Sequence, residues 1–189
     1  MGLIRRYSSQ MHGNYKKAML LYGLFIGLIF SFVLLFRWLI VMPVSQPMGY
    51  VENIMQLVLL FIFVYLYKKQ LPDQRINFKE AYVVALGSAI VGSIIYGGFM
   101  YLYAANIDPE MTQRCYEIQV NADTNKEFTE AQLREMVKPS WIAGSTIMLN
   151  SVMAIMWAMI VAIFLRNERA IVVPPKPKKS KRRKNSMGV

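Results

Sequence analysis

Two charged side chains stand where charge is expensive. In LLFRWLIVMPVSQPMGYVENIMQL, Leu34 to Leu57, Arg37 falls one turn before the end of a long apolar run and Glu52 just inside the start of the next. A lone charge at membrane depth costs from about 2.5 kcal/mol upward. Joined by a short turn with Pro43 and Pro47, the two are expected to face each other and pair. Glu52 and Gln56, four residues apart, share one helical face, with Asn53 beside them. With Asn150 in the last apolar run, expected to hydrogen-bond across a helix bundle for about 0.6–2 kcal/mol, these residues make an intramembrane polar patch. Two readings of the patch are open. In the preferred one Arg37 pairs with Glu52 or snorkels to the headgroups, and its role is structural; in the other its guanidinium meets a lipid phosphate or a small solute near the outer leaflet.

Enzyme chemistry has little to draw on elsewhere. His12 is the only histidine and lies in a basic N-terminal stretch, so HExxH metal chemistry and a Ser-His-Asp arrangement lack their parts. Cys115 is the only cysteine, which excludes an internal disulfide, a CxxC redox pair and a thiolate zinc site. No GxGxxG, Walker or GxSxG pattern occurs. Glu52 reads as the only acid inside the apolar segments, which argues against a relay of several carboxylates. The expectation is a non-enzymatic protein without catalytic residues, metal or cofactor.

The elements that position the patch follow from hydropathy. At 55% hydrophobic over 189 residues, the chain is too apolar for a small soluble domain. Four runs are long enough to cross a hydrocarbon core of about 30 Å: residues 18–41, 50–67, 81–105 and 141–165. The first is too long for a signal-peptide core, and VMPVSQP after it is a poor cleavage site, so it reads as an anchor. The fold expected is an all-α integral membrane protein, a four-helix bundle spanning residues 18–165 between a basic N-terminal segment 1–17 and a basic tail 166–189.

Charge alternates in sign between the spans. The net charge is +11, and both chain ends are strongly cationic. Lys68, Lys69, Arg75 and Lys79 outnumber Asp73 and Glu80 in the second connection, whereas the third, 106–140, is predominantly acidic. Basic short loops stay cytoplasmic, which puts both termini inside and the third connection outside. That connection carries helix punctuation: Asp108 as a cap with Pro109 at the first helical position, and a T-E-A-Q capping box at Thr129 with Phe128 and Leu133 placed as a staple. Two short helices are expected to form an outer cap, whose acids read as a solvated face.

In lipid, close helix packing depends on small residues. Gly23, Gly27 and Ser31 recur every four positions on the first span, Ala85, Ala89, Ser93 and Gly97 on the third, and Ala154, Ala158 and Ala162 on the fourth. Internal packing is preferred for these stripes over faces reserved for a partner. The tail, with Lys176, Lys178, Lys179, Lys181, Arg182, Arg183 and Lys184, is expected to be disordered and drawn to anionic lipid. RNA, including a ribosome's, is the alternative polyanion, less favoured because no aromatic residue is interleaved for base stacking.

Phe78-Lys79-Glu80-Ala81 opening the third span and Ile107-Asp108-Pro109-Glu110 after it resemble a family of small Bacteroidota membrane proteins, domain of unknown function 4199. The glycine-rich first span, acidic outer helices, proline before the last span and Pro-Lys ending fit the same resemblance. It implies a four-helix inner-membrane protein with no established activity and no catalytic residues to carry over. The functional expectation is an accessory or scaffold subunit in the bacterial cytoplasmic membrane that binds another membrane protein. A lipid or small-solute carrier using Arg37, and a tail-mediated ribosome or nucleic-acid contact, are the alternatives.

Overall fold

A computed structural model describes residues 14–40, 46–72, 74–123 and 127–167. Among them are six α-helices and no strand: α1 (Tyr15–Leu39), α2 (Gln46–Gln70), α3 (Phe78–Leu102), α4 (Glu110–Ala122), α5 (Glu130–Met136) and α6 (Pro139–Leu165). A π-helical turn, Tyr103–Ile107, extends α3. Four helices are long and apolar enough to cross a membrane: α1, α2 from Tyr50, α3 with its π-turn, and α6. The chain is an all-α, multi-pass membrane protein.

The helices extend beyond the apolar runs because their end residues are good starters. Asn77 accepts from the Glu80 backbone N–H at 2.7 Å, so α3 begins at Phe78 rather than Ala81. Pro139 occupies the first turn of α6, where its missing N–H would have had no intrahelical partner. Likewise α2 begins at Gln46, which draws Pro47 into its first turn instead of the connecting turn. Pro43, the other proline of that connection, lies outside the described residues.

Helix α3 is the hub. Met19 lies beside Gly87, Gly23 beside Val91 and Gly27 beside Ile95, a constant register that makes α1 and α3 parallel neighbours. A Cβ on Gly23 would stand 2.5 Å from Val91 Cβ, and one on Gly27 2.6 Å from Ile95 Cβ, closer than real Cβ atoms come. On its other side α3 meets α6 antiparallel: Gly97 abuts Ile147 and the Ala143 carbonyl, while at the far end the Asn167 N–H donates to Ile76 O at 2.9 Å. Ala154, Ala158 and Ala162 are fully buried. The hydroxyls of Ser31 and Ser93 donate to Gly27 O and Ala89 O on their own helices, both at 2.8 Å, and leave these faces smooth.

Helix α2 is attached differently. Large side chains, Leu60, Val64 and Tyr67, fill the space beneath it, and Phe63 stacks on Tyr22 of α1 with centroids 5.1 Å apart. Polar side chains pin it along its length, and these define the site below.

Two ends can be distinguished. The start of α1, the end of α2, the start of α3 and the end of α6 share one, the basic end. The other, the acidic end, carries the π-turn with α4 and α5 in the α3–α6 connection. There the Thr129 hydroxyl accepts from Gln132 N at 3.3 Å and Gln132 Oε1 accepts from Thr129 N at 2.8 Å, a complete capping box.

Candidate functional site

The polar groups gather into two buried centres, one toward each end of the bundle. At the acidic end Arg37 Nη1 donates to Glu52 Oε1 at 2.9 Å, and Arg37 is only 6% exposed. Its position near the end of α1 would have allowed snorkelling to the headgroups. Burial against α2 gives the guanidinium a carboxylate instead.

Further groups extend this centre. Tyr96 of α3 lies within electrostatic reach of both charges and packs its ring 5.3 Å from that of Phe30. Tyr103, also within reach of Arg37, donates its hydroxyl to Asp108 Oδ2 at 3.0 Å. Arg114 of α4 completes the series with an ion pair to the same carboxylate oxygen. Asp108 thus joins Tyr103 of the π-turn to Arg114, and these contacts fasten α4 to the spanning helices.

That network overturns the capping role expected of Asp108. Helix α4 starts at Glu110 with Pro109 as its cap residue and no side-chain cap hydrogen bond. The π-turn accounts for the change: the Asp108 N–H reaches back five residues to Tyr103 O at 2.9 Å, and the widened turn sets the Asp108 side chain beside Tyr103 and Arg114. A charged partner holds a carboxylate more strongly than a neutral cap N–H does.

Gln56, 2% exposed, donates from Nε2 to Asn150 O at 3.4 Å. The cross-bundle contact at this level thus uses the backbone carbonyl of Asn150 rather than its amide side chain, and it is long. Asn53 is half-buried one helical turn from Gln56.

The second centre was not anticipated from sequence. Glu80, 2% exposed, accepts from the Tyr67 hydroxyl at 2.8 Å in the first turn of α3. Counting Glu80 as a loop charge hid it; the apolar segments thus hold a second acid besides Glu52. The signal available was the spacing Asn77-x-x-Glu80, a cap residue followed three positions later by an acid, which moves the helix start ahead of Glu80. Beside this centre Lys68 donates to Leu165 O and to Asn167 Oδ1, both at 3.0 Å, and ties α2 to the end of α6. Glu52 and Tyr67 stand on the same helix about 22 Å apart at ~1.5 Å rise per residue, so the two centres are separate.

Each centre joins helices: α1 to α2, α2 to α3, α3 to α4. Among the described residues no group of three or more His, Cys, Asp or Glu lies together as metal ligands would. Cys115 is half-buried in α4, and burial pushes its thiol up while nearby Arg114 pulls it partly back. His12 and the tail residues Lys176, Lys178, Lys179, Lys181, Arg182, Arg183 and Lys184 lie outside the described residues.

A helical membrane protein with four spans, hydrogen-bonded buried polar centres and a short helical connection at one end is the class defined here. The family model described as Protein of unknown function (DUF4199) matches residues 17–167, and the chain belongs to that family. Searches of curated proteins and of solved structures returned no match.

Proposed function

We propose that the protein is a non-enzymatic accessory or scaffold subunit that holds another membrane protein, in the bacterial cytoplasmic membrane with both termini in the cytoplasm. Charge asymmetry supports the orientation: the described cations at the basic end flank the spans, and the acids crowd the other end. In this orientation α4 and α5 form an extracytoplasmic cap, and the basic tail meets anionic lipid on the cytoplasmic side.

One observation carries the subunit reading. The small residues of the three stripes are consumed inside the bundle, yet Gly98 and Gly144 are exposed, with nothing within 4 Å of where a Cβ would stand. Gly97 faces Ala143 across antiparallel helices, so the next residue on each, Gly98 and Gly144, rotates to the same side of the α3–α6 pair. Tyr101 and Trp141 are exposed nearby on these helices at 46% and 54%. Such a backbone-level depression suits close approach by another apolar helix. The phosphate-binding role for Arg37 has less support, because its guanidinium already meets Glu52.

The test is isolation in mild detergent. A membrane protein recovered in stoichiometric amount, and lost from a folded Gly98→Leu/Gly144→Leu variant, is the expected result. Recovery of the partner unchanged with that variant would refute the proposed face. A reporter fused after Val189 that is active in the periplasm would refute the orientation.

A further inference from the structure

The basic end carries lysines to which the proposed function assigns no ligand. Lys16, Lys17, Lys69 and Lys79 are exposed there. The acidic end differs. Each described cation there, Arg37, Arg114, Arg134 and Lys138, forms an ion pair with a carboxylate. At the basic end the one described carboxylate, Glu80, is buried and turned onto Tyr67.

Register brings these lysines together. With Met19 beside Gly87 and Gly23 beside Val91, the starts of α1 and α3 lie side by side, so Lys16 and Lys17 share a level within about two turns of Lys79. The two helices are parallel, and both turn their positive dipole ends to this surface. Every lysine of the group lies in the first or last turn of a membrane span, the depth of lipid phosphates rather than of a soluble polyanion. Aromatic rings mark the same level: Lys69 sits 4.9 Å over the Tyr65 ring, and Phe78 stacks on Tyr82 at 6.1 Å.

We infer that this rim of structured residues, and not the C-terminal tail alone, binds the phosphates of anionic phospholipid headgroups. The inference rests on the membrane orientation proposed above only for which leaflet supplies the lipid. Parallel α1 and α3 concentrate positive charge at one surface, and an anionic headgroup relieves the mutual repulsion of Lys16, Lys17 and Lys79.

The experiment is lipid retention by the full-length protein, purified in detergent with equal phosphatidylglycerol and phosphatidylcholine and read by native mass spectrometry. Phosphatidylglycerol should be enriched. Lys16→Gln/Lys17→Gln/Lys79→Gln should bring retention of the two lipids close to equality, since removal of three surface-attracted charges implies a loss of up to about a hundredfold, while Lys→Arg at the same positions and deletion of residues 176–184 should keep most of the enrichment. Equal retention of both lipids by the unmodified protein would overturn the inference whether or not any variant folds. So would loss of enrichment on tail deletion alone, or displacement of the lipid by an equal concentration of inorganic phosphate or an RNA oligonucleotide. Retention in detergent does not depend on which way the protein crosses a membrane, so a failure here is distinct from a failure of the orientation, which the periplasmic reporter reads.

Discussion

The Tyr67 hydroxyl donates to Glu80 Oε1 at 2.8 Å in a site where Glu80 is 2% exposed. This bond crosses from α2 to α3 and fastens a helix that otherwise rests on bulky side chains. Tyr67→Phe removes the donor and should lower stability by about 1–3 kcal/mol, the range for a buried acceptor that loses a partner. Thermal unfolding in detergent measures it. Glu80→Gln keeps an acceptor oxygen and should be milder; equal melting of Tyr67→Phe and the unmodified protein would show that the bond contributes nothing.

Arg37 and Glu52 form the corresponding bond between α1 and α2. Removing one member of a buried pair strands the other, at about 3 kcal/mol or more. Glu52→Ala should therefore be strongly destabilised, and adding Arg37→Leu should restore much of the loss. A double-mutant cycle in which the two changes simply add would rule out coupling. Loss of partner binding from either single variant with melting unchanged would instead make the pair functional.

Gly23 and Gly98 sit in similar apolar sequence yet should respond oppositely to alanine. Gly23→Ala drives a methyl into Val91 and toward Ser88 O, 2.8 Å away; overpacking of this kind costs about 1–3 kcal/mol. Gly98→Ala meets open space and should be neutral or stabilising by up to about 1 kcal/mol from helix propensity. Matching melting shifts for the two would contradict the parallel α1–α3 contact.

Cys115 offers a pH-dependent readout outside the spans. Burial raises its thiol, and the thiolate is the nucleophile, so less reactive form is present at a given pH than in the unfolded chain. Alkylation by iodoacetamide should be slower in the folded protein around pH 8 and catch up only as pH climbs past the ordinary thiol range. Identical rates in folded and urea-unfolded protein at every pH would refute the burial of this thiol.

Much of the architecture could be read before any coordinates. Four apolar runs, a capping box at Thr129 and the closeness of Arg37 to Glu52 are properties of single helices or of two helices joined by a short turn. Lipid enforces them, since each backbone polar group must be satisfied within its own helix and each deep charge needs a near partner. Asp108 and Glu80 escaped because their partners come from other elements. A π-turn re-aimed the first toward Arg114, and α2 brought Tyr67 over the second.

The glycines draw the same line. Periodicity marks Gly23, Gly27 and Gly97 as contact positions but does not tell their contacts from the open ground at Gly98 and Gly144, because the space beside a glycine belongs to whichever helix comes to fill it. Chain chemistry alone set the number of crossings and the opposition of charge between the two ends. Which small faces closed on each other, and which carboxylates were drawn inside, was settled only when α3 took α1 on one side and α6 on the other.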